Sequence, residues 1–411
     1  MFGIKGFKER FGEIPLKEEY IKRVLFDTAI SFDYKKIIIP TLENAKSFSP
    51  AVIGKAPWPE WNENGCFYFE IENYLKDYNT CSKEKVLLIP EGTISVTRWL
   101  GEKINKGDYK FPIKLFYSLT CYRNEILAHL SDTKHREFEQ FGMEILGSSN
   151  ILSDVENMHM VCACLKKLDI KPFEIRIRLS DTHVFNNLIQ DSKISEDDAV
   201  TLREVMDYFA ESKAGKHQET YKSCKEKLYS LINKTQLPIS VFNCWAALFE
   251  SGYNDLEELT KVFPSKYHTY FCILEEIRKE FAKQHIRVDI DLCVVRSHEY
   301  YTGISFEVDV ISQNQSFFEI AGGGRYDRLV GNFIENSKNK INAVPCTGFA
   351  FGLERVCFLM EKLDLFNSEK VVTSTFKFDE HENEPVKIKD DSIAEYFEAI
   401  ANKRKIYIGD K

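Results

Sequence analysis

The sequence predicts an α+β fold: a mostly antiparallel sheet flanked by helices, with a helical insertion before its last strands. Three observations carry this. Period-two alternation recurs in "IKLFYSLTCYRNE", "REFEQFGMEILG", "FEIRIRLSD" and "ISFEVDVI". Residues 182–284 are lysine- and glutamate-rich, helically patterned and poor in strand signals. Helical spacing also frames the strands, from "LKEEYIKRVLFDTAI" to "FAFGLERVCFLMEKL". The expected organisation is one ordered core over residues 1–365, with 182–284 inserted in it. Residues 366–411 form a charged, weakly patterned tail too short for a full extra domain.

Taken in order, Leu16–Ile30 has apolar residues at helical spacing. "KKIIIPTLE" is a short β-branched run closed by Pro40, and "VLLIPEGT" (Val86–Thr93) is a strand ending at a Pro-Glu-Gly turn. The two long alternating segments that follow read as strands joined by a polar loop, Ile126 to His135. "SDVE" from Ser153 has the capping-box pattern and predicts a helix to about Leu168. After the insertion, strands return with "IRVDIDLCVV", "ISFEVDVI" and "SFFEIAGG", and "FAFGLERVCFLMEKL" reads as a closing helix. Ser392–Ala401 is a further helix candidate in the tail.

Composition bounds the function classes. The chain has 411 residues, a net charge of −8, 44% apolar and 29% charged residues, as in an ordinary globular protein. So acidic a chain has no global basic field for nucleic acid or anionic lipid, and such binding needs a local patch. No apolar run has membrane length, and "MFGIKGFKER" lacks the apolar core of a signal peptide. The eleven cysteines follow no framework, and Cys162–Cys164 has no second pair at zinc-ligand spacing. Reduced core thiols in a cytoplasmic protein are expected, with no metal held by side chains.

Four stretches carry chemistry. On "HREFEQFGMEILG", Arg136, Phe138, Gln140, Gly142 and Glu144 fall on one strand face, and Arg123 and Glu125 share a face on the preceding strand. A core-packing face would be aliphatic; these groups each need a partner if buried. "TGFAFGLERV" places Gly348 and Gly352 four apart, with Arg355 one helical turn on. This suits a polyphosphate, and it equally suits a helix packed through small residues. "AGGGRYDRLV" is a glycine cluster at a strand end and lacks the Lys-Ser/Thr of a Walker loop. "RSHEYYTGISFEV" sets Arg296 near a strand end; if the backbone is extended, Tyr300 and Tyr301 point to opposite faces.

Together, in this order, these stretches resemble a class II aminoacyl-tRNA synthetase, and specifically the histidyl-tRNA synthetase family. "KKIIIPTLE" resembles motif 1, "YRNE … REFEQFGMEILG" motif 2 and "TGFAFGLERV" motif 3. "RSHEYYTGISFE" and "AGGGRYDRLV" resemble the two histidine-specific signatures. The resemblance implies a class II fold, a homodimer formed through motif 1, and ATP with Mg²⁺ bridging its β- and γ-phosphates. It implies that Arg123 and Arg296 hold the α-phosphate as the catalytic pair. Glu125 would accept from the adenine amine, Phe138 would stack on the adenine, and Arg355 would bind the γ-phosphate. Glu91, Thr93 and Gln140 would bind the substrate α-amino group, and Glu144 and Tyr301 would bracket the imidazole.

The sequence departs from the family pattern where tRNA is read. The tail is shorter than the family's anticodon-binding domain. Glu125 is followed by "ILAHLSDTKH" rather than Arg-Pro and a short basic loop. The arginine expected before Pro90 is Ile89, and the usual Gly-Leu-Asp after Arg296 is Ser297-His298-Glu299. Adenylation of histidine or a close analogue is therefore expected, with tRNA, a carrier protein or a small molecule as acceptor. The alternatives are a non-catalytic regulatory subunit of ATP phosphoribosyltransferase and a full synthetase whose anticodon module is reduced or separate. Retention of an adenine-stacking phenylalanine and three phosphate arginines favours adenylation over the regulatory role.

Overall fold

The structure is a computed structural model; it describes residues 3–54, 64–74, 81–215, 221–234, 237–295, 300–312, 315–335, 342–366, 386–387 and 406–407. In chain order the elements are α1 (Glu13–Ser31), β1 (Lys35–Lys36), β2 (Leu42–Asn44), α2 (Pro50–Ile53), β3 (Tyr68–Tyr74), β4 (Cys81–Leu88) and α3 (Thr93–Asn105). Next come β5 (Ile113–Tyr122), β6 (Glu137–Leu146), α4 (Ile151–Lys167) and β7 (Ile175–Asp181). Six helices follow: α5 (Thr182–Ser192), α6 (Glu196–Lys213), α7 (Tyr221–Asn233), α8 (Ile239–Glu250), α9 (Leu256–Val262) and α10 (His268–Ala282). The chain returns with β8 (Arg287–Ile290), β9 (Ile304–Ser312), β10 (Gln315–Arg325), β11 (Cys346–Gly352) and α11 (Leu353–Lys362). Two short strands, β12 (Val386–Lys387) and β13 (Ile406–Tyr407), pair in parallel.

The main sheet has eight strands in the order β1-β5-β6-β11-β10-β9-β7-β8. Only its outer pairs, β1 with β5 and β7 with β8, are parallel. The fold is thus α+β and mainly antiparallel, as predicted. A second sheet orders β2-β4-β3.

Strand alternation gives the main sheet two unlike faces. Phe116, Phe141, Met143, Ile145, Phe349 and Phe351 lie on one, in a common core with Leu25 of α1 and Met158, Val161 and Leu165 of α4. Fully burying each such side chain contributes about 1.5–3 kcal/mol, so this face holds the helices on. The opposite face carries Tyr117, Phe138, Gln140, Glu144, Arg176 and Arg178, and the candidate site lies there. The helices between β7 and β8 have an aromatic centre, where Trp245 meets Phe185 edge-on at 5.7 Å and donates Nε1–H to Ser192 Oγ at 2.8 Å.

Three local expectations change. The residues "FAFG" belong to β11, not to a helix, which begins at Leu353. Phe349 and Phe351 alternate with Gly348, Ala350 and Gly352, and register sets these small residues against Glu144, Gly142 and Gln140. The cap of α4 lies three residues before the expected one: Asn150 accepts from Leu152 N–H at 2.9 Å, and the Ser153 hydroxyl turns to Ser148. The run after Lys36 is not a strand until Leu42, because only Lys35 and Lys36 find ladder partners on β5.

Candidate active site

The site is built around one buried carboxyl. Glu144 projects from β6 and is 1% exposed. Its Oε1 accepts from the Thr93 hydroxyl at 3.0 Å and the Tyr117 hydroxyl at 3.3 Å, and its Oε2 accepts from the Tyr326 hydroxyl at 2.5 Å. Burial pushes its carboxyl up to about 8, opposed by the hydroxyl bonds and reinforced by nearby Glu91. Glycines make room for it. A Cβ on Gly348 would lie 1.5 Å from Glu144 Oε2, and one on Gly142 would lie 2.2 Å from Tyr117 Cζ.

The turn before α3 adds a second polar group. Glu91 is buried and accepts from Thr93 N–H at 2.9 Å and Ile94 N–H at 2.8 Å, which satisfies two of the helix's free donors. Burial raises its pKa, against the pull of those N–H groups and of Arg123. Gln140 Oε1 accepts from Gly92 N–H at 2.8 Å, tying β6 to the same turn. Glu91, Thr93, Gln140 and Glu144 therefore form one contiguous hydrogen-bonded patch.

The residues expected at ATP lie along the same face, each already partnered. Arg123 donates Nε–H to Pro90 O at 3.2 Å and sits 5.0 Å over the Phe138 ring. Glu125 is buried and ion-pairs with Lys134 of the loop at 3.0 Å, while its carbonyl accepts twice from Arg136 at 3.1 Å. Arg355, at the start of α11, donates to both the main-chain carbonyl and the carboxylate of Glu319 at 2.8 Å. Arg296 lies outside the described residues. Among the described residues no group of three or more His, Cys, Asp or Glu could hold a metal ion. The nearby carboxylates of Glu307 and Glu319 are committed to Arg178 and Arg355. Among the described residues the side chains thus offer no magnesium cage.

Tyr301 is buried, but residues 300–303 belong to no strand and the two tyrosines do not part to opposite faces. Their rings pack together at 4.8 Å, and Tyr300 meets Tyr326 edge-on at 6.2 Å. The phenols bonded to Glu144 are Tyr117 and Tyr326, neither of which the sequence reading singled out. Tyr117 shares strand parity with Arg123, and Tyr326 follows the glycine cluster; these were the available signals.

The sequence and the fold resemble those of known proteins. The family model described as histidyl-tRNA synthetase matches residues 70–356, more than half of the chain. A histidine–tRNA ligase of Saccharolobus islandicus strain M.16.27 is 27% identical over 372 residues, 90% of this chain and 78% of the relative. One from Saccharolobus solfataricus is 26% identical over 365 residues, 88% of this chain and 76% of the relative. The fold is shared with a Bacillus halodurans protein described as an ATP phosphoribosyltransferase regulatory subunit/histidyl-tRNA synthetase: TM-score 0.67, 19% identity, 100% of this chain and 93% of that one. It is also shared with the histidyl-tRNA synthetase of Nostoc sp. PCC 7120: TM-score 0.64, 20% identity, 89% of this chain and 77% of that one. On the match to its family model, carried by more than half of its residues, this chain belongs to the histidyl-tRNA synthetase family.

Proposed function

We propose that this chain activates histidine, or a close analogue, with ATP to form an aminoacyl-adenylate. The observation that carries the reading is the Glu144 patch. A buried carboxyl ringed by three hydroxyls offers an imidazole both donors and an acceptor, and rejects a side chain that leaves them unpaired. Glu91, Thr93 and Gln140, on the adjoining turn and strand, suit the α-amino group.

In the reaction, a carboxylate oxygen of the amino acid attacks the α-phosphorus, the bond to the bridging β-phosphate oxygen breaks, and pyrophosphate leaves. The nucleophile is already ionised, so no side chain need act as base. Arg123 and Arg296 would stabilise charge on the α-phosphate, by fixed electrostatics rather than reorganisation. Glu125 and Phe138 would receive the adenine, and Arg355 the γ-phosphate. Mg²⁺ would arrive on the nucleotide. Ile30, Ile38 and Leu42 are exposed beside the motif 1 strand, which supports a homodimer through that edge. The altered motif 2 loop leaves the acceptor as tRNA, a carrier or a small molecule.

The second reading is a regulatory subunit of ATP phosphoribosyltransferase, favoured by the likeness to the Bacillus halodurans protein whose description names both roles. The test is amino-acid-dependent exchange of pyrophosphate into ATP, without tRNA, for histidine and a panel of others. Exchange with histidine is expected. Exchange with another amino acid alone would overturn the imidazole roles; none from folded protein would favour the regulatory subunit.

A further inference from the structure

We infer that Glu319 is a positioning residue for Arg355, setting how that guanidinium meets the γ-phosphate end of a bound nucleotide; this rests on the adenylation reading. Strand β10 loses register with β9 between Phe317 and Ala321. Inside that irregularity Glu319 has φ 54°, in the left-handed region that a residue with a Cβ disfavours. Something must hold it there, and the structure shows what. Glu319 N–H donates to Asp309 Oδ1 at 2.9 Å. Asp309 has no exposed surface, and its Oδ2 accepts from Arg176 Nε and Nη2 at 3.0 and 2.8 Å and from Arg178 Nε at 2.8 Å. The carboxylate that fixes Glu319 is itself fixed from strand β7.

The consequence lies at Arg355. The carbonyl and the carboxylate of one residue both accept from its Nη1, each at 2.8 Å. Two acceptors on one nitrogen define the plane of the guanidinium, which one ion-pair contact would leave free to rotate. Among the described residues, Nε and Nη2 make no hydrogen bond, so the other edge of the fork stays available to a phosphate. The arginine is one-third exposed, 33% by side chain, so this edge is reachable. A simple ion pair would not require the left-handed backbone at Glu319; presenting both acceptors to one nitrogen does.

The test combines Glu319→Gly, Glu319→Ala, Arg355→Ala and the Glu319→Ala/Arg355→Ala double variant. Glycine keeps the backbone conformation and the carbonyl, so it guards against misfolding, which thermal unfolding checks. Equilibrium binding of ATP and ADP is measured beside KM for ATP and for histidine. Glu319→Ala is expected to weaken ATP about tenfold, the scale of one lost bond to a charged group. ADP binding and the KM for histidine should change little, and the double variant should be no worse than Arg355→Ala alone. Additive effects, unchanged ATP binding, or tighter ATP binding would each overturn the inference, the last by making Glu319 a competitor of the phosphate. If Arg355→Ala itself leaves ATP binding intact, the nucleotide role of Arg355 fails first and takes the inference with it. If Arg355→Ala weakens ATP and Glu319→Ala does not, only the inference fails.

Discussion

The two ends of one sheet face solve the burial of polar groups in opposite ways. Around β6, Glu144 is held by three hydroxyls, and burial pushes its carboxyl up to about 8. Around β7 and β9, Asp309 and Glu307 face Arg176 and Arg178, with contacts of 2.5–3.3 Å. The first cluster, while Glu144 holds its proton, can exchange a hydroxyl for a ligand without stranding a charge. The second cannot: each ion is held by another, and removing one leaves its partner uncompensated. One end is suited to respond to a ligand, and the other to stay fixed and transmit position.

The largest expected effect comes from breaking the fixed end. Asp309→Ala leaves the buried Arg176 guanidinium without its carboxylate, leaves Arg178 with Glu307 alone, and frees the backbone of Glu319. A loss of about 3–5 kcal/mol is expected, the usual cost of breaking a buried pair. Asp309→Asn should cost less, because its amide oxygen still accepts. Denaturant midpoints and melting temperatures check this. A loss below about 1 kcal/mol, the range of exposed pairs, would mean that water reaches the cluster and that the comparison is misdrawn.

A smaller effect, legible through pH, tests the responsive end. Glu144 ionises at its ordinary 4.5 in the unfolded chain and at about 8 in the folded one. Between these values the folded protein holds a proton that the unfolded chain has lost. Its contribution to stability is therefore full below the lower value, falls as pH rises through the window, and is flat above it. Glu144→Gln cannot ionise and should lack this fall. The melting temperature of the variant relative to the parent should rise steadily from about pH 5 to about pH 8. A pH-independent difference would show that Glu144 is already ionised when folded, and hence that a cation faces it.

This contrast between the ends was half readable in the chain. Period two put Phe138, Gln140 and Glu144 on one face, and the structure sets Phe141, Met143 and Ile145 on the other. That much is local geometry. Tyr117 sits in an apolar run and reads as core; only the β5–β6 register, Tyr117 opposite Gly142, brings it to Glu144. Tyr326 reaches the same carboxyl from a distant turn. The alternation of "IRIRLSD" predicts a strand and leaves the place of its arginines open. They are buried because register sets Arg176 opposite Asp309 and Arg178 opposite Glu307. Alternation tells which residues share a face; it does not tell which strand lies beside it. The glycines of β11 misled for a related reason, since their spacing of four fits a helix as well as a strand.

The smallest expected effect concerns the loop that joins β5 to β6. Lys134 of the motif 2 loop holds the buried carboxylate of Glu125, where the adenine amine is proposed to bind. Nucleotide binding must then displace this ammonium or share the carboxylate with it. Lys134 is one-third exposed, 33% by side chain, so its pairing is partly screened. Lys134→Met keeps the stem and removes the charge. If the lysine competes, ATP should bind about threefold more tightly, within the worth of a partly exposed pair, and stability should change by less than about 1 kcal/mol. High salt should narrow the difference, because screening already weakens the pair in the parent. Weaker ATP binding in the variant would assign Lys134 to the nucleotide itself, making the loop part of the bound site rather than a group that leaves it.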